Sequence, residues 1–284
     1  MTGKHPINLP DEHHYVDLSG GRCHYRQEGP ADGPTVLMLH GATVPGWEFD
    51  RLVPYLHSNG YRTVCPDFFG HGYSTRPNAA LTQEMFVEQV AEFVASQPPE
   101  PPAHIVAHSL GAAVAARFAC RNPEAVGRLV LLAPLLDFLS VNQSTRLLRI
   151  PLLGELLMPT YVVPALVRRR RRRYQAISDG RFVGKFKDQL RVPGFGRSLL
   201  SMIRSGALAD QSDWYRKLAN LEKDVLVLRG SRDTIFLEYQ FEAMQALLPE
   251  GQFRELADLE HPFMLTHPER VGPIITDFLD EHRS

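Results

Sequence analysis

Ala107-His108-Ser109-Leu110-Gly111 stands between an apolar run, His104-Ile105-Val106-Ala107, and a run of small residues, Ala112-Ala113-Val114-Ala115-Ala116. Read in order, this is a buried strand, a sharp turn carrying a serine, and a helix of small side chains. A serine on so sharp a turn needs tiny neighbours two positions to either side. Larger side chains would clash with the adjoining strand and helix, and the strained turn then exposes the hydroxyl at the carboxyl edge of a sheet. The first small residue is Ala107, where glycine is commoner. The plain alternative is a serine that only caps a helix; the buried strand before it and the small helix behind it favour a nucleophile.

Outward from this turn, further short apolar runs have the continuous character of strands buried on both faces: Val36-Leu37-Met38-Leu39, Arg62-Thr63-Val64-Cys65, Leu129-Val130-Leu131-Leu132 and Val225-Leu226-Val227-Leu228. Helical patterns separate most of them, at Met85 to Ala95, Leu110 to Cys120 and Leu237 to Leu248. Near the amino terminus, two alternating runs, His13 to Ser19 and Arg22 to Glu28, flank Gly20-Gly21 and read as a β-hairpin at a sheet edge. The pattern predicts an α/β fold, a mostly parallel central sheet covered by helices.

Between Leu132 and Val225 the alternation of strand and helix stops. This stretch is rich in Leu, Pro and Arg and has no strand pattern, so it reads as an inserted helical cap over 135–220, with the core formed by 1–134 and 221–284. The chain of 284 residues, 44% of them apolar, has enough material for one large core. Its 31 basic and 32 acidic side chains balance, which excludes a global field toward nucleic acid or an anionic membrane. The three cysteines, Cys23, Cys65 and Cys120, have no metal-ligand or CxxC spacing, so a reducing compartment is expected. With neither a signal-like amino terminus nor an apolar run near 20 residues, the expectation is a cytoplasmic protein, monomer or homodimer.

His40-Gly41-Ala42 follows the Val36 to Leu39 strand, where a backbone amide can meet the oxyanion that develops during acyl transfer. The expected donors are the amides of Ala42 and Leu110, with Gly41 allowing close approach. The bland reading is a glycine turn that ends a strand. Pro66-Asp67-Phe68-Phe69-Gly70-His71-Gly72-Tyr73-Ser74 reads as a tight loop fixed by hydrogen bonds from Asp67 and His71, without a chemical role.

Taken together, HGATVPGW, DFFGHGYS, AHSLGA, LRGSRD and EHPFMLTHPE resemble the α/β-hydrolase family, in order, over everything except the cap. The resemblance implies a triad in chain order Ser, Asp, His. Arg229-Gly230-Ser231-Arg232-Asp233 matches the acid loop at Asp233, and Glu260-His261-Pro262 matches the histidine loop, with Glu260 where glycine is common. Asp137, soon after the Leu129 to Leu132 strand, is the rival acid and reads as a cap-boundary residue. His267 is the rival base and reads as part of the capped start of a helix over Glu269 to Leu279.

A serine hydroxyl is a poor nucleophile near neutral pH. A neutral imidazole must take its proton, and a carboxylate must hold the imidazole's tautomer. The expected activity is that of a serine hydrolase cleaving carboxylic esters of apolar acyl or aromatic groups, with no metal or organic cofactor and a small-molecule ester as partner. Carbon-carbon bond hydrolases and perhydrolases keep the same triad, and a ligand receptor on the same scaffold is the alternative from another class. An aspartate at the elbow would have pointed to an epoxide hydrolase or haloalkane dehalogenase; Ser109 argues against both.

Within the cap, Leu147 to Met158 and Tyr161 to Val167 are unusually apolar, broken by prolines at 151, 159 and 164. Leu152, Leu153, Leu156 and Leu157 are expected to wall an apolar cleft, or else to pack the cap onto the core. Gly41, Trp47, His108, Phe138 and Met264 are expected substrate contacts, with Phe49 a further candidate. Arg168 to Arg173 are six arginines in succession; a helical run of that length goes all the way round, so they cannot all line one pocket. Most are expected to be solvated, with transient docking on a membrane surface or on substrate phosphate as the second reading.

Overall fold

The structure is a computed structural model and describes residues 13–96, 103–175, 177 and 180–281. Eight strands form one sheet: β1 (His13–Leu18), β2 (Gly21–Glu28), β3 (Thr35–Leu39), β4 (Arg62–Pro66), β5 (Ala103–His108), β6 (Val126–Leu132), β7 (Val225–Gly230) and β8 (Gln252–Leu256). Their order is β1-β2-β4-β3-β5-β6-β7-β8. β2 pairs antiparallel with both β1 and β4, and every other pairing is parallel. The hairpin thus supplies the edge expected of it, and the unbroken apolar runs β3, β5, β6 and β7 occupy the interior of the sheet. They are apolar throughout because helices cover both faces of a parallel sheet.

In the core, helices flank the sheet: α1 (Val53–Ser58), α2 (Gln83–Ser96) and α3 (Leu110–Arg121) precede β6. Between β6 and β7 the described residues form helices only: α4 (Phe138–Val141), α5 (Thr145–Arg149), α6 (Leu153–Leu157), α7 (Val163–Tyr174), α8 (Arg181–Arg191), α9 (Phe195–Ser205) and α10 (Ser212–Leu218). After β7 come α11 (Glu238–Leu247), α12 (Phe263–Thr266) and α13 (Pro268–Asp280). α2, α3 and α10 pack together, as do α1 and α13. The small side chains of α3 let it lie close to the sheet: a Cβ on Gly111 would stand 2.1 Å from the carbonyl oxygen of Leu39.

Trp47, which precedes α1, joins the helical segment between β6 and β7 to the rest of the fold near the site. Trp47 stacks on Phe182 of α8 with ring centroids 6.0 Å apart and meets Tyr174 of α7 edge-on at 6.3 Å. The hydroxyl of Tyr215 on α10 donates to the carbonyl of Leu135 at 3.0 Å.

Candidate active site

The turn from β5 into α3 holds Ser109 at φ 51° and ψ −112°. A non-glycine residue there is strained, and such strain persists only where the surroundings over-determine it. They do so here: the Ser109 amide donates to Leu132 of β6 at 3.0 Å, and its carbonyl accepts from Leu135 at 3.0 Å. Ala107 is fully buried on the strand side, where a larger residue would have no room.

Asp233 follows β7. Its Oδ1 accepts from the amides of Ile235 (2.7 Å) and Phe236 (3.1 Å), and its Oδ2 meets Nδ1 of His261 at 2.7 Å. Burial alone would raise the Asp233 carboxyl, but His261 and the two amides outweigh it and hold the group below its ordinary value. With a carboxylate at Nδ1, the proton sits on that nitrogen and Nε2 is left as the basic face. Burial, the largest influence on His261, keeps the ring below its ordinary value in spite of Asp233. The imidazole is therefore neutral near pH 7 and able to accept a proton.

Ser109 and His261 line one cavity of about 170 Å³ with Gly41, Ala42, His108 and Phe138. Leu110 is buried, and as the first residue of α3 its amide has no carbonyl partner within the helix. Gly41 is required where it stands, since a Cβ would lie 2.9 Å from Nδ1 of His108. The loop bearing Gly41 and Ala42 is held from several sides. His40 accepts from the Phe68 amide at 2.9 Å, Nε2 of His71 lies 2.9 Å from the Ala42 carbonyl, and the Gly41 amide donates to Oε1 of Glu48 at 2.7 Å. Asp67 accepts from the amides of Gly46 (2.9 Å) and Tyr73 (3.1 Å) and meets His24 at 2.7 Å, so Asp67 and His71 fix loops as their motif suggested.

Glu48 has no counterpart among the expected site residues. It is buried, and Oε1 also lies 3.1 Å from Nδ1 of His108. Burial would raise its carboxyl, but His108, His40 and the Gly41 amide together hold it below the usual value. A second carboxylate-imidazole pair thus stands beside the first, the rings of His108 and His261 having centroids 4.6 Å apart. Nε2 of His108 is buried without a hydrogen-bond partner.

Other expectations are corrected. Trp47 does not line the cavity; it is the clasp on Tyr174 and Phe182 described above. Met264 and Phe49 are fully buried in the core. The rival acid and base stand where they were read to stand: Asp137 caps α4, accepting from the Ser140 amide at 3.2 Å, and His267 sits at the start of α13 with Nδ1 on the Thr266 hydroxyl at 2.9 Å. The apolar wall is not formed by the expected leucines: Leu152 and Leu156 are 84% and 61% exposed, and neither they nor Leu153 and Leu157 line the cavity. Leu135, Leu166, Leu199, Leu208 and Ile235 supply it instead.

The arginine run is divided. Arg168, Arg171 and Arg172 are exposed and lie outside the cavity, whereas Arg169, itself exposed, and the more buried Arg170 and Arg173 line it beside Leu166. The helical period explains this, since residues three and four apart share a face. A larger groove of about 910 Å³, lined by Met158, Phe195 and Leu200, contains none of Ser109, Asp233 and His261. Among the described residues, no group of three or more His, Cys, Asp or Glu side chains could hold a metal ion, and no helix is long and apolar enough to cross a membrane.

A strained serine after a central strand, sharing a cavity with a carboxylate-held histidine at the carboxyl edge of a mostly parallel sheet, defines a class of fold. The family model described as alpha/beta hydrolase fold matches residues 34–268, and the chain belongs to that family. Among its relatives, a 2-hydroxymuconate semialdehyde hydrolase of Pseudomonas putida is 26% identical over 291 aligned residues, 97% of each chain. A haloalkane dehalogenase of Mycobacterium marinum is 32% identical over 132 residues, 44% of each chain. The structure of Cfl2 from Burkholderia cenocepacia, at 24% identity, superposes with a TM-score of 0.80 over 94% of this chain and 95% of that one.

Proposed function

We propose that this chain is a serine hydrolase that cleaves carboxylic esters through an acyl-enzyme. The observation that carries the reading is the junction of strained Ser109 and His261 in one cavity, with Asp233 at 2.7 Å behind the histidine. In this reading Ser109 Oγ attacks the ester carbonyl as Nε2 of His261 takes its proton. The amides of Ala42 and Leu110 meet the oxyanion, and Asp233 stabilises the imidazolium. The imidazolium then protonates the departing alkoxide, and water repeats the cycle on the acyl group. The cavity is small beside the roughly 300–1,000 Å³ of sites for drug-sized ligands, which supports short acyl groups.

A fluorophosphonate is expected to label Ser109. Ser109→Ala should keep the fold and lower p-nitrophenyl acetate turnover roughly 10⁵-fold or more, while Asp233→Asn should cost about 10⁴. Labelling of another serine, or full turnover by Ser109→Ala, overturns the reading. The P. putida relative, similar along its whole length, favours one second reading, a carbon-carbon bond hydrolase on the same triad. Turnover of a vinylogous diketone in preference to any ester would favour that instead.

A further inference from the structure

We propose that Arg169 and Arg170 form a subsite for a free carboxylate carried by the substrate, so that the ester cleaved at Ser109 belongs to a molecule with a second, ionised acid group. This rests on the ester-hydrolase reading for the identity of the bond cleaved, but not for the binding itself.

Of the three arginines lining the cavity, Arg173 is neutralised in place, its Nε lying 2.5 Å from Oε2 of Glu260. The other two have hydroxyls as partners. Arg169 Nη2 donates to the Thr234 hydroxyl and Arg170 Nη2 to the Thr43 hydroxyl, each at 2.6 Å, and Arg170 Nη1 reaches the Tyr174 hydroxyl at 3.1 Å. Among the described residues neither forms an ion pair. Arg170 is only 9% exposed, and its Nε is buried with no hydrogen-bond partner at all. A guanidinium has five N–H donors, and one taken out of water without an anion is costly to the fold. Burial, together with the charges of Arg173 and Arg170, lowers the pKa of Arg169, as expected of cations gathered without enough anions.

The position of the pair ties it to the reaction. Thr43 follows Ala42 and Thr234 follows Asp233; Ala42, Thr43 and Thr234 line the cavity shared with Ser109, and Asp233 stands behind His261. The two arginines therefore reach from α7 to the loops that bear Ala42 and Asp233, where they hold Thr43 and Thr234 at the edge of the reacting centre. A carboxylate presents two oxygens in one plane, which suits the guanidinium fork. A phosphate dianion fits less well, because Asp233 and Glu260 lie within electrostatic range of Arg169 and oppose a second negative charge.

The test separates binding from turnover. With the Ser109→Ala protein, monomethyl glutarate, dimethyl glutarate and inorganic phosphate are titrated calorimetrically. With the active protein, kcat/KM is measured for mono-p-nitrophenyl glutarate and for neutral p-nitrophenyl butyrate. Monomethyl glutarate is expected to bind and the dimethyl ester not. Arg169→Gln and Arg170→Gln should each lower the ratio of anionic to neutral kcat/KM by about 10- to 100-fold, mainly through KM, as loss of a charge-assisted bond does. Arg171→Gln, on the solvent side of α7, should leave both esters unchanged. Should Arg170→Gln fail to fold, Arg169→Gln, at the exposed mouth, carries the test.

Binding of monomethyl glutarate without turnover of any ester would sustain the subsite and sink the ester reading. Ester turnover through Ser109 with a ratio indifferent to Arg169→Gln would sink the subsite alone. Tighter binding of phosphate than of the monoester would overturn the choice of carboxylate.

Discussion

At the scale of single residues, the site divides into groups whose role is written in their own neighbourhood and groups whose role is written elsewhere. Ser109 was legible because it stands on the turn between a buried strand and a helix of small residues, and a turn's demands fall on adjacent positions; Asp233 and His261 were implied only by the resemblance of their loops to those of the α/β-hydrolase family. Trp47 and Met264 were misread because which way a side chain points beyond a strand end depends on packing that no local pattern records. Glu48 was missed for the same reason. Its partners are seven and sixty residues away, at Gly41 and His108, and nothing beside it in the sequence marks it out. Its structural task is nevertheless specific, for one oxygen fixes both the loop of Gly41 and Ala42 and the imidazole of His108 beside Ser109. Glu48→Gln keeps the shape and removes the charge. It is expected to lower unfolding free energy by about 1–3 kcal/mol and ester kcat by roughly tenfold with little change in KM. Chemical denaturation with parallel kinetics would measure both. An unchanged kcat with lowered stability would reduce Glu48 to a packing group.

At the scale of elements, period and burial explain what the sequence told correctly and what it hid. The strands β3, β5, β6 and β7 and the helices α2, α3, α11 and α13 lie within a few residues of their expected bounds because both faces of the sheet are covered. β8, Gln252-Phe253-Arg254-Glu255-Leu256, was not expected: it is an edge strand whose side chains are largely exposed, so its composition is polar. In α7 the helical turn sorts an unbroken arginine run into an outward and an inward set, which composition alone could not do. The apolar run before it was misread in the opposite sense. Leu152 is not only exposed but held at φ 66°, a region that a branched side chain enters at a cost. Leu152→Gly should therefore raise stability by about 1 kcal/mol, and Leu152→Ser with Leu156→Ser should leave the butyrate-to-acetate ratio of kcat/KM as it is. A thermal melt and two ester assays decide this, and a ratio that collapses several-fold would put those leucines back against the substrate.

At the scale of the whole molecule, the parallel sheet gathers the ends of β3, β5 and β7 at one edge, and the loops built there bury several imidazoles. That arrangement sets how stability responds to pH. Burial pulls His40, His71 and His261 below the ordinary histidine value, His71 to about 4. For His71 burial is the largest cause and His40 adds to it, while the carbonyls of Ala42 and Phe69 favour the cation without prevailing. The unfolded chain takes up protons at these positions near pH 6.5, whereas the native chain does not until lower pH. The unfolded state thus binds more protons in that window, so the contribution is whole above about 6.5 and is lost as pH falls toward 4. Asp67, Glu48 and Asp233, held below their ordinary values, extend the loss at lower pH still. Each depressed histidine contributes a slope of about 1.4 kcal/mol per pH unit within its window. His71→Gln should accordingly be less stable than the parent at pH 7, having lost the bond to Ala42, but the gap should narrow by about 2 kcal/mol by pH 5, because the variant no longer carries that proton-linked penalty. Urea unfolding of both proteins at the two pH values measures the gap. A gap that stays constant would mean that His71 titrates alike in the folded and unfolded chain, and that the acid sensitivity belongs to His40 and His261 instead.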